Sequence, residues 1–309
     1  MIISLQWRNK VIKETDAKIL YDTDSDTYSF KLSAPLSVCW QVTRNCNLNC
    51  LYCLSDSKCN VEYGLNTEQA IQLIDGLGKI GVNRLDFTGG EPLMRDDLGI
   101  LIDRAKQNNI NTIVTTNTLL LNDKNLEVLK KADLVQVSID GSEEIHNYQR
   151  NANVFEKMLT NVKILQKHGC KIRLNSFIFN SNKQYVDYLM DLSQKLGVFS
   201  HLFIIFTPQG RGREHLEEIV PAHEVEQIKD KILKRKVEEQ RNVRLYDYSE
   251  YMHSCVLLTP GGDVISQGFY EEDSINVGNV FNKPLEDLFQ DDNFSHFTHV
   301  VHYLQRRNK

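Results

Sequence analysis

Short runs of apolar and β-branched residues alternate along the chain with longer segments of helical periodicity. The apolar runs predict six strands, at residues 36–42, 84–88, 111–115, 134–139, 172–178 and 201–206. The segments after them predict helices at residues 67–80, 97–108, 125–131, 155–168, 184–196 and 222–236. This alternation is typical of an α/β fold in which helices wrap a parallel sheet.

The helix at residues 67–80 has the clearest pattern. Asn66 and Gln69 have the spacing of an N-terminal capping box. A stripe of four aliphatic residues follows, formed by Ile71, Ile74, Leu77 and Ile80.

The two ends of the chain differ from this central pattern. Extended runs at residues 10–20 and 27–32 flank an acidic turn and predict an N-terminal β-hairpin. The acidic turn lacks the glycine and the distal glutamate of a calcium loop, so calcium is not expected. A Pro-Gly-Gly turn at residues 260–262 and a helix near residues 284–290 predict a small C-terminal hairpin plus helix. We therefore divide the chain into residues 1–33, 34–240 and 241–309.

Composition narrows the class of protein. The chain has 309 residues, of which 41% are hydrophobic, enough for one large domain with a small appendage. A net charge of −5 argues against a general nucleic-acid binder, and the basic residues from Lys229 to Arg244 are interleaved with acids, as on a solvated helix face. No apolar stretch approaches the roughly 20 residues that span a bilayer, and the first ten residues lack the pattern of a signal peptide. We expect a cytoplasmic protein without a membrane partner.

The most informative local feature is a group of three cysteines, Cys46, Cys50 and Cys53, spaced C-x3-C-x2-C. Three thiolates on one loop can hold three irons of a cubane cluster and leave the fourth iron open, as in a catalytic metal site. A structural zinc site usually needs a second cysteine or histidine pair, which does not follow at the expected distance. A disulfide framework is not expected, because seven cysteines are an odd number in a chain without a signal peptide.

This segment resembles the signature of the radical S-adenosylmethionine (SAM) superfamily, with the aromatic Tyr52 directly before the third cysteine. The resemblance implies one 4Fe-4S cluster, whose open iron is chelated by the amino and carboxylate groups of SAM. One electron from the cluster then cleaves SAM to a 5'-deoxyadenosyl radical, which takes a hydrogen atom from substrate. It also implies a flavodoxin or ferredoxin-type electron donor and a partial (β/α)6 TIM-like barrel, with the chemistry at the carboxyl ends of the strands.

A second motif lies 36 residues after Cys53, where an apolar strand runs into a diglycine turn and Glu91. Glycines permit close backbone approach to a ligand, and a glutamate can accept a hydrogen bond from an ammonium group. With the cysteine motif, the resemblance implies that SAM is contacted by residues at successive strand ends: Tyr52, Gly89, Gly90, Glu91, Asn117, Ser138, Asp140, Arg150 and Asn175.

Several of these positions also have plain structural explanations. A diglycine turn and the Asp140-Gly141 pair are common in ordinary turns. Arg150 could be a surface arginine. Thr118 stands where relatives often have the glycine of a Thr-Asn-Gly turn. Arg211 belongs to a Pro-x-Gly-Arg turn that resembles one near substrate in the family.

The C-terminal segment resembles the start of a SPASM or twitch domain, which binds auxiliary clusters through several cysteines. Here only Cys255 is present, and one thiolate cannot hold a cluster. We predict a single cluster, with the tail as a lid or substrate wall. Cys255 is either a hydrogen-atom donor to the substrate radical or a small buried hydrophobe. Cys39, Cys59 and Cys170 are weaker donor candidates.

Three functions follow from these motifs. The first is an epimerase that acts on a peptide or sugar-containing natural product, with Cys255 as hydrogen donor. The second is an oxidative maturase that crosslinks or dehydrogenates a peptide, although the missing auxiliary clusters count against it. The third is a non-catalytic iron-sulfur sensor, which would have no need of the SAM-contacting residues.

Overall fold

The structure, a computed structural model, describes residues 5–7, 10–12, 17–22, 27–32, 35, 37–61, 64–247, 256–290 and 299–300. At the N-terminus, β1 (Leu5–Trp7) and β2 (Lys10–Ile12) pair antiparallel, and β3 (Ala17–Asp22) pairs antiparallel with β4 (Thr27–Leu32). The expected N-terminal hairpin is therefore present, with its first extended run divided between two strands.

Seven parallel strands form the centre of the molecule. They are β5 (Ser37–Thr43), β6 (Arg84–Gly89), β7 (Asn111–Thr116), β8 (Leu134–Ser138), β9 (Ile172–Ile178), β10 (Ser200–Ile205) and β11 (Val243–Tyr246). The six predicted strands agree with β5 to β10 within one residue at each end. The seventh, β11, was not predicted, because its four residues carry no distinct apolar run.

Helices connect these strands on the outside of the sheet. They are α1 (Thr67–Lys79), α2 (Leu98–Gln107), α3 (Asp123–Lys130), α4 (Glu143–Arg150), α5 (Phe155–Lys167), α6 (Val186–Lys195) and α7 (Ala222–Glu238). The predicted capping box of α1 is present, with reciprocal bonds between Asn66 and Gln69. The sequence pattern missed α4, since Ile145 is its only aliphatic residue and no apolar stripe marks it.

The C-terminal segment joins the same sheet on its other side. It contains β12 (Val256–Leu258), β13 (Asp263–Ser266), β14 (Ile275–Asn279) and α8 (Leu285–Gln290). β12 pairs parallel with β5, and β13 and β14 follow antiparallel. β15 (His299–Val300) instead pairs with β4. The ten-stranded order runs from β11 to β5 and on to β14, so the sheet is an open, partial barrel.

Alternation along each strand separates two environments, because successive side chains point to opposite faces. In β5, Val38, Trp40 and Val42 are fully buried in the core under the helices. Cys39 and Gln41, between them, line a cavity inside the barrel. The apolar face therefore closes the core, and the polar face is available for a ligand. None of the described helices has the length and apolar character that a membrane span requires.

Candidate active site

The three motif cysteines lie in the loop that follows β5, at the carboxyl ends of the parallel strands. Cys46, Cys50 and Cys53 line a cavity of about 220 Å³, which we call the cysteine cavity. The diglycine turn after β6 reaches the same cavity, as does the end of β7. The sheet thus brings together two motifs that are separated in the sequence by one helix, α1, and one strand, β6.

Each of the three sulfurs accepts a hydrogen bond from a nitrogen of the protein. The distances are 3.4 Å from Leu48 N to Cys46, 3.8 Å from Arg150 Nη1 to Cys50 and 3.3 Å from Ser57 N to Cys53. Hydrogen bonds of this kind stabilise negative charge on cluster sulfurs and tune the cluster potential. The donor set therefore fits a cluster held by three cysteines.

The cysteines do not converge on a single point. Within the described ranges, no three His, Cys, Asp or Glu side chains are close enough to share one metal ion. In a cubane cluster each cysteine binds a different iron, so the thiols need only surround a common space. Burial raises the pKa of Cys46 to about 12 and also raises that of Cys50, so these two thiols are neutral until a metal takes their protons.

The diglycine turn packs directly against the backbone that leads into the cysteine loop. Gly90 N donates to Thr43 O at 2.8 Å, and Glu91 N donates to Asn45 O at 2.9 Å. A Cβ on Gly90 would lie 2.1 Å from Asn45 O, far inside any permitted contact. Gly89, with φ of 119°, has a conformation that favours glycine. The glycines therefore seat the cysteine loop as well as lining the cavity.

Glu91 links the ends of β6 and β7. Its Oε1 accepts from Thr116 Oγ1 at 2.7 Å and Leu93 N at 3.1 Å, and its Oε2 accepts from Asn117 N at 2.8 Å. Burial raises the pKa of Glu91, and these three hydrogen bonds oppose that effect. A carboxylate has about four acceptor positions, so one remains for a donor in the cavity.

Asn117 lines the cavity, but its side chain already has protein partners. Nδ2 donates to Asn47 Oδ1 at 2.7 Å, and Oδ1 accepts from Leu119 N at 3.0 Å. The residue thus ties the end of β7 to the cysteine loop. Thr118, in the position expected for glycine, has the left-handed φ of 61°.

Asp140 lies deeper than expected. It is fully buried and does not line the cavity. Its Oδ2 accepts from Tyr52 Oη at 2.7 Å and from Arg150 Nη2 at 2.7 Å, and its Oδ1 accepts from Phe177 N at 3.1 Å. Asp140 therefore holds the two side chains, Tyr52 and Arg150, that do reach the cavity, and its expected contact with the SAM ribose stays a prediction.

Ser138 and Asn175 occupy paired positions on β8 and β9, and both line the cavity. The buried Oδ1 of Asn175 has no hydrogen-bond partner in the described part of the chain. The same is true of Oε1 of Gln136, two residues before Ser138. A ligand with hydrogen-bond donors would satisfy both amide oxygens.

The motif search missed several polar residues on the cavity wall, among them Gln41, Asp86 and Gln136. Asp86 Oδ1 accepts from Thr115 Oγ1 at 2.8 Å, and burial raises its pKa. These three residues lie on strands, where the period of two marks the inward face. That alternation is the sequence signal that would have found them.

Arg211 lies behind the cysteine loop and does not line the cavity. Its Nε donates to Cys50 O at 2.9 Å, and its Nη1 donates to Ser57 O and Asp56 Oδ1, both at 2.8 Å. Arg211 therefore holds the loop in place.

Cys255 lies outside the described residues. It directly precedes Val256 of β12, and Leu257 of that strand lines the cavity.

Comparison with known proteins decides the family. A model of the radical SAM superfamily matches residues 40–194, about half of the chain. The chain belongs to the radical SAM superfamily. Radical SAM proteins use a 4Fe-4S cluster and SAM, and the three cysteines with the cavity beside them fit both.

Relatives of this radical SAM chain include the AdoMet-dependent heme synthase of Methanosarcina barkeri (strain Fusaro / DSM 804). The two are 31% identical over 195 residues, which cover 62% of this chain and 56% of the synthase. The chain spans about half the length of the curated relatives it matches.

Two solved structures share the fold. SuiB of Streptococcus suis bound to precursor peptide SuiA superposes with a TM-score of 0.70 at 16% identity, over 85% of this chain and 66% of SuiB. The enzyme anSMEcpe with bound AdoMet and Cp18Cys peptide gives a TM-score of 0.65 at 19% identity, over 85% and 82% of the two chains. At these identities the likeness shows the radical SAM fold alone. The expected SPASM/twitch-like subgroup agrees with these matches.

Proposed function

We propose that this radical SAM enzyme cleaves SAM in the cysteine cavity and modifies a peptide or a sugar-containing natural product. The gathering of Cys46, Cys50 and Cys53 around one cavity, each with a donor at its sulfur, carries the proposal. When bound, the cluster and SAM supply the 5'-deoxyadenosyl radical that removes a hydrogen atom from substrate. A flavodoxin or ferredoxin-type protein would deliver the electron.

The cavity wall offers the groups that SAM needs. Glu91 keeps one acceptor position toward the cavity, which suits the SAM ammonium group. Arg150 presents its Nη1 edge beside Cys50, which suits the SAM carboxylate. Ser138 and the unpaired oxygen of Asn175 suit the ribose hydroxyls. The roles of Tyr52, Gly89, Gly90 and Asn117 in this proposal are to shape the cavity and hold the loops around it.

The reaction that we propose is epimerisation. The substrate radical receives a hydrogen atom from the Cys255 thiol on the opposite face, and the sulfur radical left behind regains a hydrogen as one external electron and one solvent proton. The position of Cys255 directly before a strand with a cavity-lining residue, Leu257, supports this assignment. A peptide substrate is in line with SuiB and anSMEcpe, both of which were solved with bound peptides.

The first test measures SAM cleavage. The cluster is reconstituted without oxygen and reduced in the presence of SAM, and 5'-deoxyadenosine is quantified for wild type, Cys50→Ala and Cys170→Ala. We expect product from wild type and from Cys170→Ala, whose thiol lies outside the cavity, and none from Cys50→Ala. A fully loaded wild-type protein that forms no product, even with candidate peptides, would favour the sensor hypothesis.

The second test separates epimerisation from oxidation. In D2O, an epimerised product carries one deuterium at the inverted carbon, because the cysteine thiol exchanges with solvent. Cys255→Ala should still release 5'-deoxyadenosine but form no epimer, whereas Cys39→Ala should form it. A product lighter by two hydrogens would instead identify a crosslinking or dehydrogenating maturase, and loss of the epimer only in Cys39→Ala would move the donor role to Cys39.

A further inference from the structure

The amino ends of the parallel strands enclose a second cavity, of about 290 Å³. It lies at the opposite end of the barrel from the cysteine cavity, and the two share no lining residue. Three arginines line it: Arg84 begins β6, Arg173 is the second residue of β9, and Arg244 is the second residue of β11. The register of the sheet thus brings three guanidinium groups from distant parts of the sequence to one space.

The charge of this second cavity is positive. Asp133 is the one carboxylate among the described residues that line it. Its Oδ2 accepts from Thr112 N at 2.8 Å and Thr112 Oγ1 at 2.9 Å, and its Oδ1 lies 3.4 Å from Lys106 Nζ. Lys106 therefore offsets the charge of Asp133. Asp86, which lines the cysteine cavity instead, acts on Arg84 and Arg173 through space, so three arginines face the second cavity against one more distant carboxylate.

Among the three arginines, Arg173 has a buried donor atom that lacks a partner within the described residues. Its Nε is buried and has no hydrogen-bond partner in the described part of the chain. The negative charge of Asp86 acts on it through space, while burial and the neighbouring Arg84 lower its pKa. A buried guanidinium nitrogen without an acceptor is unfavourable, because it has lost its hydrogen bonds to water and gained none in return.

We propose that this second cavity binds the phosphate group of a small molecule. A phosphate dianion matches the excess positive charge better than a single carboxylate, and its oxygens accept hydrogen bonds from guanidinium forks. A volume of about 290 Å³ accommodates a phosphate with a small organic group. Because the site lies at the amino ends of the strands, its occupant is separate from the substrate modified at the cysteine cavity.

The test is a calorimetric titration of the reconstituted full chain with inorganic phosphate at constant ionic strength. We expect saturable binding, with sulfate as a competitor and acetate without effect. Arg244→Gln and Arg173→Gln should each weaken phosphate binding by about tenfold, the loss expected for one charge-assisted hydrogen bond. Arg213→Gln, which removes an exposed arginine outside the cavity, is the control and should leave phosphate affinity unchanged.

Arg244 is exposed, so its variant tests the site even where Arg173→Gln fails to fold. SAM cleavage by Arg244→Gln should stay within about twofold of wild type, because the altered side chain lies far from the cysteine cavity. Absence of saturable phosphate binding overturns the proposal. So does phosphate affinity unchanged in Arg244→Gln, and so does acetate binding as tightly as phosphate.

Discussion

Arg150 and Asp140 form a buried ion pair beneath the cysteine cavity, with Arg150 Nη2 2.7 Å from Asp140 Oδ2. Arg150 also lies over the ring of Tyr52, with its guanidinium carbon 5.2 Å from the ring centre. Tyr52 donates to the same carboxylate oxygen, so one acid holds two side chains of the cavity wall. Asp140 and Arg150, both of the fourth βα unit, thus hold Tyr52 of the cysteine motif in place.

This relationship predicts that Asp140→Asn is strongly destabilising. The substitution leaves the Arg150 guanidinium buried without its counter-charge, which costs about 3 to 5 kcal/mol in the free energy of unfolding. Urea denaturation of the two proteins measures the difference. Glu144→Gln, at an exposed position of α4, is the matched control and should change stability by less than about 0.5 kcal/mol. Equal midpoints for wild type and Asp140→Asn would contradict the assigned role.

The protein should lose stability in mild acid because of His146. Burial lowers the pKa of His146 to about 3, and its Nδ1 accepts from Asp140 N at 3.2 Å, so the folded state holds the neutral ring. The unfolded chain binds a proton below about pH 6.5, so the stability present above that pH falls with pH by about 1.4 kcal/mol per unit until the folded pKa is reached.

The measurement is the free energy of unfolding between about pH 7 and about pH 5.5. His146→Asn keeps an acceptor for Asp140 N but cannot titrate, so over this range it should lose about 1 kcal/mol less stability than wild type. His201, whose pKa burial also lowers to about 3, contributes equally to both proteins and cancels in the difference. Exposed His168→Asn should retain the wild-type slope, and an identical slope in His146→Asn would refute the prediction.

Gly90→Ala should displace the cysteine loop. Its Cβ would meet Asn45 O at 2.1 Å and Asn45 C at 2.7 Å, both backbone atoms that cannot move without the loop. We expect a large loss of iron and sulfide bound after reconstitution. Gly99→Ala, inside α2, is the matched control, since its Cβ would make an ordinary 3.4 Å contact with Val128 of α3. The control should bind a full cluster and gain up to about 1 kcal/mol in stability, whereas full cluster loading of Gly90→Ala would contradict the packing argument.

The strands and the cysteine motif were predictable because their signals are local. An apolar face repeated along each of β5 to β10 shows where the chain is buried, and the C-x3-C-x2-C spacing needs only eight residues to read. Helix α4 was missed because its buried side chains, His146, Gln149 and Arg150, are polar. Their burial depends on Asp140 and other distant partners, which no window of sequence contains.

The sequence predicts which residues lie near the site better than it predicts what each of them contacts. Asp140 belongs to a segment that the motif comparison identified, but whether it faces ligand or protein depends on Tyr52, 88 residues away. Arg211 lies behind the loop because its partners, Cys50 and Ser57, precede it by more than 150 residues. The alternation of residues such as Val38, Cys39 and Trp40 predicts which side chains point into the barrel, but only if a barrel is assumed first.

Thr118 is the residue at which this chain departs from the Thr-Asn-Gly turn. The structure places it at φ of 61°, a left-handed conformation that is unfavourable for a β-branched side chain. Its hydroxyl is buried and has no partner among the described residues, which adds a desolvation cost. The backbone holds this conformation because Thr118 N donates to Thr116 Oγ1 at 2.9 Å and Thr118 O accepts from Asn161 Nδ2 at 2.8 Å.

Thr118→Gly should therefore raise the free energy of unfolding by about 1 kcal/mol. The gain from relieved strain and from removal of the unpaired hydroxyl exceeds the entropy that glycine adds to the unfolded chain, about 0.5 to 1 kcal/mol. Thr116→Gly should instead lower the free energy of unfolding. Thr116 Oγ1 donates to Glu91 at 2.7 Å, and its loss removes a hydrogen bond from a buried carboxylate oxygen. Chemical denaturation should give a higher free energy of unfolding for Thr118→Gly than for wild type, and a lower one for Thr116→Gly. A Thr118→Gly protein that is less stable than wild type would show that packing of the threonine methyl group stabilises the protein by more than the backbone strain costs.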